Sequence, residues 1–84
     1  MTDTISVKLV CHSVVKHALG SGELEVRLPV DATGADLEKH IREMAGGRLE
    51  NVPFRLAVNR TFVSRDVVLS QGDEVSLIPP MQGG

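Results

Sequence analysis

The sequence predicts an α+β roll, a mixed sheet of four to five strands with one main helix. Three observations point there. Apolar residues alternate with period two near both ends of the chain and follow a 3.6-residue period in one segment between them. The chain has 84 residues, enough for one domain with one core, and a single helix laid across one sheet face suits that size. Two phenylalanines, with no Trp and no Tyr, make the expected core aliphatic.

The elements follow in chain order. Ile5, Val7, Leu9 and Cys11 alternate with Ser6, Lys8 and Val10, which is a strand with one apolar face. Residues 12–19 have room for one helical turn before the Gly20-Ser21-Gly22 turn cluster. Leu24, Val26 and Leu28 then share one face of a second strand that Pro29 terminates, so the two runs read as a loosely connected antiparallel hairpin. Leu37, Ile41, Met44 and Ala45 fall on one face of a helix placed at residues 34–45. Thr33 is its N-cap, Asp36 the capping-box acid, and Gly46-Gly47 its stop. Phe54, Leu56 and Val58 alternate again, Asn59-Arg60 turns the chain, and residues 61–63 make a short strand. Ser64, Arg65 and Asp66 interrupt the pattern, and residues 67–69 connect to a Gln71-Gly72-Asp73 turn. A last strand, residues 74–78, puts Val75 and Leu77 inward.

Composition narrows the function. A chain this short buries only about 60% of its unfolded surface, leaving almost no room for an enclosed active site. Nine basic and eleven acidic residues give a net charge of −2. With no basic run, and with no Trp or Tyr to build a base-stacking platform, nucleic acid is not an expected partner. One cysteine excludes an internal disulfide and an all-cysteine metal site. With no signal peptide and no apolar run of about 18 residues, a cytoplasmic protein without membrane attachment is expected.

The side chains offer no convincing catalytic set. His12 and His17 are not spaced as a metal motif, His40 lies on the helix near the apolar stripe, and surface or boundary positions account for all three. No metal or cofactor site is assigned. Cys11 faces inward, where cysteine behaves as a small hydrophobe. Gly20-Ser21-Gly22 lacks the Lys-Ser/Thr of a phosphate loop, and Asp73-Glu74 is turn chemistry rather than an acid pair.

The carboxyl end is different. Pro79 and Pro80 stop the last strand and stiffen the exit, and Met81-Gln82-Gly83-Gly84 follow without a charged side chain. The expected division is a folded domain over residues 1–78 and a flexible tail over 79–84. Extended, that tail reaches roughly 20 Å, enough to enter a narrow channel in a partner. Glycine has no Cβ, so Gly83 provides clearance while the α-carboxylate of Gly84 approaches a reactive centre.

The run Val58-Asn59-Arg60-Thr61-Phe62-Val63, then Leu69-Ser70-Gln71-Gly72-Asp73-Glu74-Val75, then Ile78-Pro79-Pro80 and Gly83-Gly84, resembles the ubiquitin-like sulfur carriers of the MoaD/ThiS type. It is most similar to the small subunit of molybdopterin synthase. The resemblance implies a β-grasp fold and a carrier that is not an enzyme on its own. It implies that a ubiquitin-activating-type adenylyltransferase, using ATP, activates the Gly84 carboxylate. A sulfurtransferase or other sulfur source then converts it to a thiocarboxylate. The large catalytic subunit of molybdopterin synthase, in a hetero-oligomer, takes the sulfur for the molybdenum cofactor. Ile78 matches an apolar docking position of the family, next to Pro79, Pro80, Met81 and Gln82 along the tail. Phe62 is either an addition to that docking surface or a packed core residue. Met81-Gln82 and Leu77-Ile78 depart from the family pattern, which leaves open a carrier for thiamine, cysteine or thio-metabolite synthesis. A ubiquitin-like protein modifier is a further alternative.

Overall fold

Alternation decides the first strand, β1 (Thr4–Val10), because Ile5, Val7 and Leu9 all turn to one side and are buried. The computed structural model describes residues 3–79. β1 pairs antiparallel with β2 (Glu23–Pro29), with Val7 opposite Val26 and Leu9 opposite Leu24. β2 is an edge strand, where Pro29 needs no ladder partner for its missing N–H.

The connection between them holds more helix than the single turn expected. Helix α1 (Ser13–Leu19) has seven residues and is anchored by the fully buried Val15. Gly20 ends it in the left-handed conformation, φ 76°, and its N–H donates to the Lys16 carbonyl.

Helix α2 (Gly34–Met44) starts where the sequence places it. The Asp36 N–H donates to Thr33 Oγ1 at 3.3 Å, and the Thr33 N–H donates to Asp36 Oδ2 at 2.9 Å, closing the capping box. Leu37, Ile41 and Ala45 form the buried stripe. Met44, expected on that face, is instead 47% exposed. At this end of the helix Ala45 and the fully buried Leu49 fill the core, leaving the methionine on the rim.

The segment that breaks the apolar pattern has a backbone task. The carbonyls of Val67 and Arg65 accept from Gly34 N–H (3.0 Å) and Ala35 N–H (2.9 Å), two of the donors that every helix start leaves unmet. This close approach requires glycine at 34. A Cβ there would collide with Leu56 Cδ2 and sit 3.3 Å from the Arg65 carbonyl oxygen.

β3 (Arg55–Val58) and β4 (Thr61–Val63) form a hairpin on the two-residue turn Asn59-Arg60, at φ 51° and 71°. Positive φ at both central residues is the geometry that matches the twist of paired strands. β5 (Glu74–Ile78) runs antiparallel to β3 and parallel to β1, so the sheet order is β2-β1-β5-β3-β4. A parallel central pair flanked by two hairpins, with α2 across one face, is the β-grasp arrangement, and two helices stand where one main helix was expected. Core residues such as Leu9, Leu37, Ile41 and Leu77 each contribute about 2 kcal/mol through burial. No helix among the described residues is long and apolar enough to cross a membrane.

Candidate functional site

The sheet has an inner face under α2 and an outer face without a covering element among the described residues. Register assigns each side chain. Leu56, Leu77 and Val75 point into the core, so Arg55, Ala57, Ser76 and Ile78, one residue out of phase, point outward. Phe62 pairs with Ala57 and Val10 with Ser76, which brings both onto the same outer face. Ala57 is buried yet stands apart from the core cluster, as its place on that face requires.

Phe62 is 52% exposed, which selects the surface reading over a packed core position. A three-residue edge strand has no second layer to bury its ring. The Arg55 guanidinium covers the ring instead, with Cζ 3.9 Å from its centroid. Ile78 lies directly opposite Arg55 across the β3–β5 ladder and is half-buried, and Pro79 continues from it. The outer face near the exit of β5 thus holds Phe62, Ala57, Ile78 and Val10 with one arginine stacked among them. Toward β2 the same face turns polar, with Lys8 Nζ 3.1 Å from Glu23 Oε1.

The β3–β4 hairpin is held in place from one side. Asn59 Nδ2 donates to Asp73 Oδ1 at 3.0 Å, and Asn59 Oδ1 accepts from the Glu74 N–H at 3.0 Å. Asp73 also accepts from the Ser70 N–H, so the Asp73-Glu74 pair is turn structure, as read from the sequence.

Of the residues assigned to partner contacts, Phe62, Ile78 and Pro79 are brought to one end of the sheet. Pro80, Met81, Gln82, Gly83 and Gly84 lie outside the described residues. Arg55 was not singled out from the sequence, although its period-two phase with Ala57, opposite Leu56, was a usable signal. His12 and His17 are exposed and His40 is half-buried, and no three His, Cys, Asp or Glu residues converge as metal ligands among the described residues. Cys11 is buried at the end of β1, and desolvation raises its thiol above the ordinary value of 9.0, which leaves it a poor nucleophile.

Comparisons with known proteins bear on the family and the fold. The model of the ThiS family matches residues 14–84. The chain is 34% identical over 83 residues to the molybdopterin synthase sulfur carrier subunit of Dictyostelium discoideum, covering 92% of this chain and 94% of that one. The subunit of the same name from Escherichia coli K12 is 32% identical over 81 residues, covering 93% and 99%. Among solved structures, a putative molybdopterin converting factor subunit 1 from Pyrococcus furiosus superposes with a TM-score of 0.84 at 26% identity, over 92% of this chain and 99% of that one. A chain from the complex of subunits 1 and 2 of the molybdopterin-converting factor of Helicobacter pylori shares the fold at a TM-score of 0.68 and 19% identity, over 95% and 100%.

Proposed function

The chain belongs to the ThiS family, and from that premise we propose that it is a sulfur carrier, serving as the small subunit of a molybdopterin synthase. One observation carries the reading. The family match spans residues 14–84, a stretch that takes in Gly83 and Gly84, which supports giving them the carrier role. Residues 79–84 are the delivery arm and the folded domain is its handle.

In this reading a carboxylate oxygen of Gly84 attacks the α-phosphorus of ATP on a ubiquitin-activating-type enzyme, and pyrophosphate leaves. A carboxylate is a poor acyl donor, and adenylation gives it AMP as a leaving group. Sulfide displaces AMP and leaves the thiocarboxylate directly. A sulfurtransferase persulfide displaces AMP to give an acyl disulfide, which a second thiol then reduces to the thiocarboxylate while that thiol and the sulfurtransferase cysteine form a disulfide. The large subunit then supplies the groups that act on the precursor, while the carrier supplies a tethered acyl sulfur at high effective concentration. The carrier itself binds no cofactor. Phe62 and Ile78 dock the domain so that Pro79 and Pro80 aim the arm into the partner.

Intact mass after incubation with the activating enzyme, ATP and a sulfur source tests the reading. Replacement of one terminal oxygen by sulfur, lost on deletion of Gly84, is the expected result. Higher-mass conjugates would instead assign a protein modifier. A thiocarboxylate that forms but is not consumed by a molybdopterin synthase large subunit would move the carrier to thiamine, cysteine or thio-metabolite synthesis.

A further inference from the structure

Two arginines flank Phe62 in the β3–β4 hairpin, Arg55 without an ionic partner among the described residues and Arg60 only loosely paired with Glu74. Arg55 lies flat on Phe62 and has no carboxylate or hydrogen-bond acceptor among the described residues. A guanidinium stacked through its face keeps its in-plane N–H donors directed outward, the geometry that reads a carboxylate. Arg60 occupies the second turn position at φ 71°, where glycine is the favoured residue and a side chain costs conformational energy. Its side chain is 88% exposed, and its nearest acid, Glu74 Oε2, lies 3.9 Å from Nε, beyond hydrogen-bond distance. Arg60, two residues before Phe62 in the chain, thus holds an exposed guanidinium at some cost in backbone energy.

We propose that Arg55 and Arg60 make the Phe62–Ile78 face selective for a partner protein that presents carboxylates within an otherwise apolar contact. This rests on the reading that the face docks the synthase large subunit, and it names the chemistry that picks the partner. The surroundings favour a protein over nucleic acid. The neighbours Val10, Ala57 and Ile78 are aliphatic, the one aromatic ring is already covered by Arg55, and the whole chain carries a net charge of −2. Charge in such a contact sets association rate and partner choice more than total affinity.

The experiment is titration of the chain with the large subunit from the same organism at low and physiological salt, with melting curves for each variant. Arg55→Gln is expected to weaken binding about 10-fold and Arg60→Gly about 3-fold, both with a shallower salt dependence. Arg60→Gly is expected to melt at the wild-type temperature or up to about 4 °C above it, because glycine relieves the turn. A merely structural arginine would not separate binding from stability in this way. Arg55→Lys is expected to restore the salt dependence but only part of the affinity, since a lysine keeps the charge and loses the stacked fork. Wild-type affinity and salt slope in both Arg55→Gln and Arg60→Gly would overturn the proposal and leave the docking reading standing. A wild-type chain that fails to bind the large subunit would remove the docking reading and the proposal together. Self-association of the wild type that Arg55→Gln abolishes would assign the face to a second copy and overturn it also.

Discussion

Two arginine–phenylalanine pairs occupy opposite faces of this sheet and do different work. Arg42 lies 4.7 Å over Phe54, and Arg55 lies 3.9 Å over Phe62. Around the first pair every group is engaged. Arg42 donates to the carbonyls of Leu49 and Val52 and to Glu38, and Arg65 donates to the other Glu38 oxygen (2.7 Å) and to the Phe54 carbonyl (2.8 Å). Phe54 is buried, and residues 46–54, which hold no helix or strand, are thereby tied to α2. Around the second pair the ring is half open and the guanidinium edge faces solvent. The same contact is a strut where its donors are used up, and where they are left over it stands open on the face proposed for docking.

The largest way to break this contrast is Arg42→Ala. It leaves the Leu49 and Val52 carbonyls without their donor and is expected to cost about 2–3 kcal/mol, a fall of roughly 10–20 °C in melting temperature by circular dichroism. Glu38→Gln is next. Its carboxylate, with a side chain 15% exposed, is shared by both arginines, and loss of the charge is expected to cost about 1–2 kcal/mol in urea unfolding. On the open side Phe62→Ala is expected to move stability by less than about 1 kcal/mol while weakening large-subunit binding more than about 10-fold, read by calorimetry. A comparable loss of stability in Phe62→Ala and Arg42→Ala would erase the distinction between the two pairs.

The smallest effect lies at Cys11 in the core. Its thiol is raised by burial, so the folded state favours the neutral form. That stabilisation is fully present below 9.0 and is lost as pH rises through the folded-state value. Urea midpoints in this alkaline window are expected to fall with pH more steeply for the wild type than for Cys11→Ala. Equal slopes would show that the thiol does not titrate differently on folding.

Local chemistry was readable residue by residue. The Thr33–Asp36 capping box, the Asn59-Arg60 turn and the turn at Gly72 each depend on neighbours in the chain, and each stands where the pattern puts it. The misses have long-range causes. The second turn of α1 depends on Val15 reaching the core, and the exposure of Met44 depends on Leu49 taking its place. The broken pattern at 64–66 is explained by a backbone that serves the start of α2. Arg65 reaches Glu38 across 27 positions and Phe54 across 11, a separation that no period reports. For the candidate site, the structure brings Phe62, Ile78 and Pro79, all named from the sequence, to one end of the sheet, but the choice between core and surface for Phe62 was not readable from the sequence.

The sequence by itself determined the strand and helix periods and the caps and turns, because these follow from φ/ψ preference and side-chain spacing within a few residues. Only the tertiary structure decided which strands lie side by side, which arginines are consumed and which remain, and that Phe62, Arg55 and Ile78 meet beside the exit of β5. Pairing register sets those neighbours, and a shift of one residue would have sent Phe62 into the core and Leu56 into water.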